Sequence, residues 1–195
     1  MKVLVLYAHP LDDSFNAAVH RAVIESLRAA GHEVDDLDLY AENFSPVLTP
    51  QERRDYHDLS INRAHVSVYV ARLLHAEAVV FVFPTWSFGV PAILKGWFDR
   101  VLIPGVSFVL GPDGKARPNL RHIRRIIGVS TYGRPWWHVR LLVGDLPRKQ
   151  ITSYFRALTA FKAKADYVAL YNMNQATAEK RAKFIERVRA AMKRL

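Results

Sequence analysis

Ala78-Val-Val-Phe-Val-Phe83 runs straight into Pro84-Thr-Trp-Ser-Phe-Gly-Val-Pro-Ala-Ile-Leu-Lys-Gly-Trp-Phe-Asp-Arg-Val-Leu102, and this junction decides the fold. The first six residues are continuously apolar, β-branched or aromatic, which predicts a strand buried on both faces of a parallel sheet. Pro84 has no N–H to give a ladder and predicts the strand's end. Thr85, Trp86, Ser87 and Phe88 then form a loop of two hydroxyls and two large rings. Gly89 frees the backbone for a turn, and Pro91 sits where a helix takes its first residue. Ile93, Leu94, Trp97, Phe98, Val101 and Leu102 recur at helical spacing, with Lys95, Asp99 and Arg100 off the stripe. Two readings of the loop stand side by side. Backbone N–H groups at a helix entrance suit polar acceptors and the two rings suit a planar body; alternatively, both rings are core packing under the loop.

At 195 residues, half of them apolar, the chain reads as one α/β domain with ample core. It has no cysteine, which excludes disulfides, thiolate metal sites and cysteine nucleophiles. His65 and His75 have no partners at metal-ligand spacing and read as surface residues, so no metal site is expected. The N-terminus enters a strand directly, without a basic leader, and no apolar run approaches the roughly 18 residues of a membrane span. A soluble cytoplasmic protein is expected. The net charge of +10 is uneven: residues 1–114 balance to −5, residues 115–195 to +15. Without a zinc-finger spacing, an RNP-type motif or a long basic run, that asymmetry suits phosphate-bearing ligands or plain solubility better than a dedicated nucleic-acid partner.

In chain order, residues 2–8 predict a buried strand, and Ser14 the N-cap of a helix stopped by Gly31. The same helix entrance, with His9, Ser14 and Asn16, could hold a phosphate. Glu33 to Tyr40 alternates apolar and acidic residues, as an edge strand does. Thr49-Pro-Gln-Glu52 reads as a capping box. A helix is expected over about 60–75, with Val66, Val70, Leu73 and Leu74 inward. Val106–Leu110 and Gly-Pro-Asp-Gly114 read as a hairpin. Residues 124–130 predict the fourth strand, which empties into Thr131 to His138. There, Trp136 and Trp137 wall a pocket or pack a subunit interface. A basic helix over 148–163, a fifth strand over 167–171 and an amphipathic helix over 176–193 complete the chain.

Strand–helix alternation predicts a doubly wound parallel sheet with right-handed crossovers. In the order 2-1-3-4-5, the loops 9–16, 84–88 and 130–137 meet at the strands' C-terminal ends, at a topological switch point. Phosphate-suited groups at one end and aromatic loops at the other suit a flavin.

Residues 83–101, His9-x4-Ser-Phe-Asn16 and Ser130-Thr-Tyr-Gly133 together resemble the flavodoxin-like NAD(P)H:quinone oxidoreductases. That family includes mammalian DT-diaphorase and the bacterial modulator-of-drug-activity and potassium-efflux ancillary proteins. The resemblance covers most of residues 1–145. It implies a flavodoxin-like fold, a homodimer, NAD(P)H as reductant, and hydride transfer through a flavin to a quinone-like acceptor. It further implies that His9, Ser14, Phe15 and Asn16 hold the phosphate and ribityl part. Pro84, Thr85, Trp86, Ser87 and Phe88 would line the ring system. Thr131, Tyr132 and Gly133 would contact its pyrimidine end, with Asp99 supporting that loop. FAD is favoured, with FMN as the alternative. The chain departs from the animal enzymes where Trp137 and Val143 replace a tyrosine and a histidine credited with proton relay, which leaves His138 or solvent for that task. Phe108 stands where a pocket tyrosine is common, and Trp136 joins it as a candidate substrate contact. A second reading is a flavin-binding regulatory subunit of a membrane potassium-efflux system, in peripheral contact with its membrane partner.

Overall fold

The run Ala78–Pro84 lies at the centre of the sheet, every residue buried and both edges paired. In the computed structural model, which describes residues 1–195, the elements in chain order begin with β1 (Lys2–Tyr7), α1 (Phe15–Ala29) and β2 (Glu33–Asp38). They continue through α2 (Pro50–Asp55), α3 (Ser67–His75), β3 (Ala78–Pro84) and α4 (Ala92–Val101). A hairpin of β4 (Phe108–Leu110) and β5 (Ala116–Pro118) precedes β6 (Arg125–Thr131). After it come a wide-turned π segment (His138–Val143), α5 (Leu146–Lys149) running into a second π segment (Gln150–Phe155), β7 (Lys164–Leu170) and α6 (Ala178–Met192). The main sheet is wholly parallel in the order β2-β1-β3-β6-β7, so the five core strands take the expected order 2-1-3-4-5.

The sheet separates two apolar layers. On one face Phe81 and Phe83 pack with Trp97 and Phe98 of α4 and with Phe155. On the other Val5, Val80 and Val129 pack with Val23 and Leu27 of α1 and Phe184 and Val188 of α6. Each fully buried side chain of this size contributes roughly 1.5–3 kcal/mol. Ser14 caps α1 by accepting from Ala17 N at 3.1 Å, and Gly31, with φ +78°, turns the chain out of that helix. The Thr49–Glu52 capping box is present in both directions.

Four expectations need correction. Residues 60–66 are turns, so α3 starts only at Ser67, and Leu74 faces outward. The basic helix does not reach 163: Ala160 and Phe161 take left-handed backbone conformations that turn the chain into β7, and Tyr154 is half exposed. Pro91 is the residue before α4, not its first. Arg100, expected off the apolar stripe, is 9 % exposed and bonds Glu52 Oε1 through Nε and Nη2 at 2.8 and 2.6 Å. Its Nη1 donates to Ser45 O. One turn earlier on α4, Gly96 lies so close to Pro46 that a Cβ there would overlap its backbone. The ion pair and this close approach together pin the 41–52 connection to α4.

Candidate functional site at the strand ends

Four contacts knit the loops after β1, β3 and β6. Asn16, the second residue of α1 and 3 % exposed, donates from Nδ2 to Thr131 Oγ1 at 3.0 Å. Thr85 N donates to Thr131 O at 2.8 Å, and the Thr85 and Ser130 hydroxyls lie 3.2 Å apart. The His9 and Trp86 rings meet at 5.7 Å. His9 also accepts from Leu11 N through Nδ1, which closes its own loop. Asn16 Oδ1 stays buried without a partner. Such a group is destabilising by about 1–3 kcal/mol unless something donates to it.

The β3 loop is strained. Trp86 N donates to Gly89 O and Gly89 N to Trp86 O, at 3.1 and 2.8 Å, which closes a two-residue turn. At its tip Ser87 and Phe88 have φ of +48° and +59°. Left-handed geometry at both central residues is normally filled by Asn and Gly, and costs about 1–2 kcal/mol per residue for other side chains. Backbone strain of this kind concentrates at functional sites. Trp86 is 43 % exposed, so the core-packing reading of its ring is excluded.

Beside this turn is a cavity of about 570 Å³, lined by Thr85, Ser87, Phe88, Tyr132 and Gly133. Its far wall starts at Arg134 and Pro135 and includes Val139. His138 stacks on Phe88 at 5.7 Å with the planes 12° apart, while Trp136 and Trp137 stand about half exposed next to it. Phe15 carries the Arg181 guanidinium of α6 over its ring, at 5.9 Å.

Behind Gly133 is a buried polar network. Tyr132 OH donates to Asp145 Oδ1 at 2.7 Å, Tyr171 OH donates to Oδ2 at 3.0 Å, and Tyr167 OH lies 2.7 Å from Tyr132 OH. Burial pushes the Tyr132 and Tyr167 hydroxyls well above their ordinary pKa, so both keep their protons. Since the Tyr132 proton points to Asp145, the bond between the tyrosines runs from Tyr167 to Tyr132.

The structure thus gathers Thr85, Ser87, Phe88, Tyr132 and Gly133 at one cavity. Asn16 and Thr131 join them beneath, and His9, Ser14 and Phe15 lie along the adjoining entrance of α1. Pro84 ends β3 opposite Thr131. Phe108 pairs with Pro118 in the hairpin and lies outside the cavity of its own chain. Asp99 does not support the Tyr132 loop: it faces out from α4 and pairs with Lys95 at 2.6 Å, and Asp145 does that work. Sequence reasoning also missed Asn172, Asn174 and Gln175, which line the cavity from the loop after β7. Three amides within four residues directly after a strand were the available signal.

The whole chain, residues 1–195, matches the family described by its flavodoxin-like fold. Among curated proteins it is similar to NAD(P)H dehydrogenase [quinone] 1 of Rattus norvegicus, 36 % identical over 148 residues, 68 % of this chain and 54 % of the relative. It is also similar to the Escherichia coli (strain K12) protein named uncharacterized NAD(P)H oxidoreductase YcaK, 33 % identical over 108 residues and 55 % of each chain. The chain spans about half the length of the curated relatives it matches. Among solved structures, NAD(P)H:quinone oxidoreductase from Methanothermobacter marburgensis superposes with a TM-score of 0.83 at 26 % identity, covering 99 % of this chain and 98 % of that one. With a parallel sheet in the order 2-1-3-4-5 and a family match over its full length, this protein belongs to the flavodoxin-like fold family.

Proposed function

We propose that the chain is a flavin-dependent NAD(P)H oxidoreductase acting on a quinone or similar flat acceptor. The observation that carries this reading is the Asn16–Thr131–Thr85 linkage, which draws three loops distant in sequence onto one rim beside a 570 Å³ cavity. That volume lies within the range of cofactor and substrate sites, about 300–1,000 Å³.

The residues present fit a flavin. Asn16 Oδ1 is a buried acceptor in need of a donor; its Nδ2 is spent on the Thr131 hydroxyl, and the Thr85 and Ser130 hydroxyls pair on the neighbouring loops. The free N–H groups at the start of α1, past Ser14, suit a phosphate. Arg181 beside Phe15 supplies a cation for a second phosphate, which favours FAD over FMN. When bound, a flavin supplies the capacity to take a hydride from NAD(P)H and pass two electrons onward. The chain's own contribution is stacking and exclusion of water. Phe88 is held against His138, and the half-exposed rings of Trp86, Trp136 and Trp137, on the segments that flank the cavity, are available to cover a bound planar group. His138, stacked on Phe88, is the residue of this segment whose ring nitrogens can both accept and donate a proton. Phe108, outside its own cavity, is assigned to the site of a second copy, in a homodimer.

The test is the absorbance spectrum of the purified protein, with mass analysis of any released pigment and an assay of NADH and NADPH oxidation with a quinone. Flavin bands, a mass matching FAD and acceptor-dependent oxidation are expected. A preparation that stays colourless after incubation with FAD and with FMN overturns the reading.

A further inference from the structure

Asp145 occupies the residue before α5, where an aspartate ordinarily caps the helix with its side chain, yet it makes no cap hydrogen bond. Gly144 and Asp145 both have left-handed backbones, with φ of +87° and +47°. This double reversal turns the carboxylate inward, where it is 4 % exposed. One oxygen accepts from Tyr132 at the end of β6, the other from Tyr171 just past β7. Arg140, from the middle of the cavity wall, donates from Nε to Tyr171 OH at 3.3 Å and lies 3.7 Å from Asp145 Oδ2. The Tyr132 and Tyr171 rings stack at 4.7 Å beneath this contact. Two segments of the sheet rim and the middle of the wall therefore converge on one carboxylate.

We propose that Asp145 is a positioning residue that latches residues 133–143 to the ends of β6 and β7, and so fixes the segment that lines the cavity through Arg134, Pro135 and Val139 and carries Trp136, Trp137 and His138. The functional part of this proposal rests on the oxidoreductase reading; the latch itself does not. Besides this carboxylate the wall is held by Asn172 N, which donates to Arg134 O at 2.9 Å, and by Val139, which packs with Tyr132 and Ala169. Leu141 and Leu142 are about 70 % exposed, and only Val139 of the π segment is buried. Without the carboxylate, two tyrosine hydroxyls lose their acceptor, and the wall keeps few contacts that resist opening.

The experiment is peptide-resolved hydrogen exchange on the purified full chain, for the wild type, D145A, D145N and Y171F. Exchange over residues 133–143 should rise roughly tenfold in D145A and roughly threefold in D145N, whose amide keeps one acceptor, while β1 and β3 stay unchanged. In the flavin-loaded enzyme KM for the nicotinamide should rise by a similar factor, with kcat altered less than about twofold. Unchanged exchange over 133–143 in D145A overturns the latch. Should D145A fail to fold, Y171F decides, because it keeps the Tyr132 bond: faster exchange confined to the wall supports the latch, unchanged exchange overturns it. A protein that never takes flavin overturns the function proposed above and leaves the exchange result fully readable.

Discussion

Removing Glu52 from Arg100 tests how the site is fastened to the rest of the fold. Both side chains are under 10 % exposed, and Arg100 spends its donors on Glu52 and on Ser45 O. E52A strands a buried guanidinium, a change that ordinarily destabilises by about 3–5 kcal/mol. It also deletes the carboxylate of the capping box, for a further loss of roughly 1 kcal/mol. E52Q keeps an acceptor oxygen for the guanidinium but removes the carboxylate charge opposite it, so a loss of about 2 kcal/mol is expected. In E52Q/R100M neither charge is stranded, and the double variant should be at least about 1.5 kcal/mol more stable than the sum of its single variants implies. Acid adds a second readout. Burial raises the Glu52 pKa, but the Thr49 and Arg100 hydrogen bonds outweigh it and hold the carboxyl below its ordinary value. Its stabilisation is therefore complete above the unfolded carboxylate pKa and is lost as pH falls through the folded one. The gap between wild type and E52Q should accordingly close on acidification. The assay is urea unfolding at several pH values, with the m-value checked for constancy. A loss below about 1 kcal/mol in E52A, or strict additivity in the cycle, refutes the reasoning.

Two further predictions concern the polar network. A Cβ at Gly128 would lie 2.6 Å from Tyr167 Cε2 and closer still to Cδ2. G128A should therefore displace the ring, break the Tyr167–Tyr132 bond and lower stability by about 2–4 kcal/mol in urea unfolding; a change under about 0.5 kcal/mol would show that the ring yields freely. Tyr132 keeps its proton in the fold but loses it in the unfolded chain above about pH 10, so stability should decline with alkalinity by up to about 1.4 kcal/mol per pH unit for this one group. Y132F should show a measurably shallower alkaline decline in the same titration, and identical slopes would contradict the assignment.

Much of the architecture was legible because single residues had one physical reading. The unbroken apolar run 78–83 could only be a central strand, and the acidic alternation at 33–38 only an edge, where Asp35 and Asp36 now meet Arg72 and His20. The loops at 9–16, 84–88 and 130–137 announced themselves by following strands directly. What stayed hidden depends on partners far along the chain. Arg100 looks like a solvated charge until the 41–52 connection places Glu52 on it. Asp145 looks like a helix cap, and only its left-handed backbone sends the carboxylate to two tyrosines instead. Periodicity also misjudged the helix expected over 148–163, because wide turns at its start add residues that a 3.6 repeat does not anticipate.

The two apolar layers, of 27 and 17 buried residues, share no side chain, since the strands stand between them. The interior therefore behaves as two separate reservoirs of stability. A substitution at Leu94 and another at Val188 have no common neighbour, and their effects should sum. The α1/α6 side can thus be reinforced by protein engineering without disturbing the layer that carries α4.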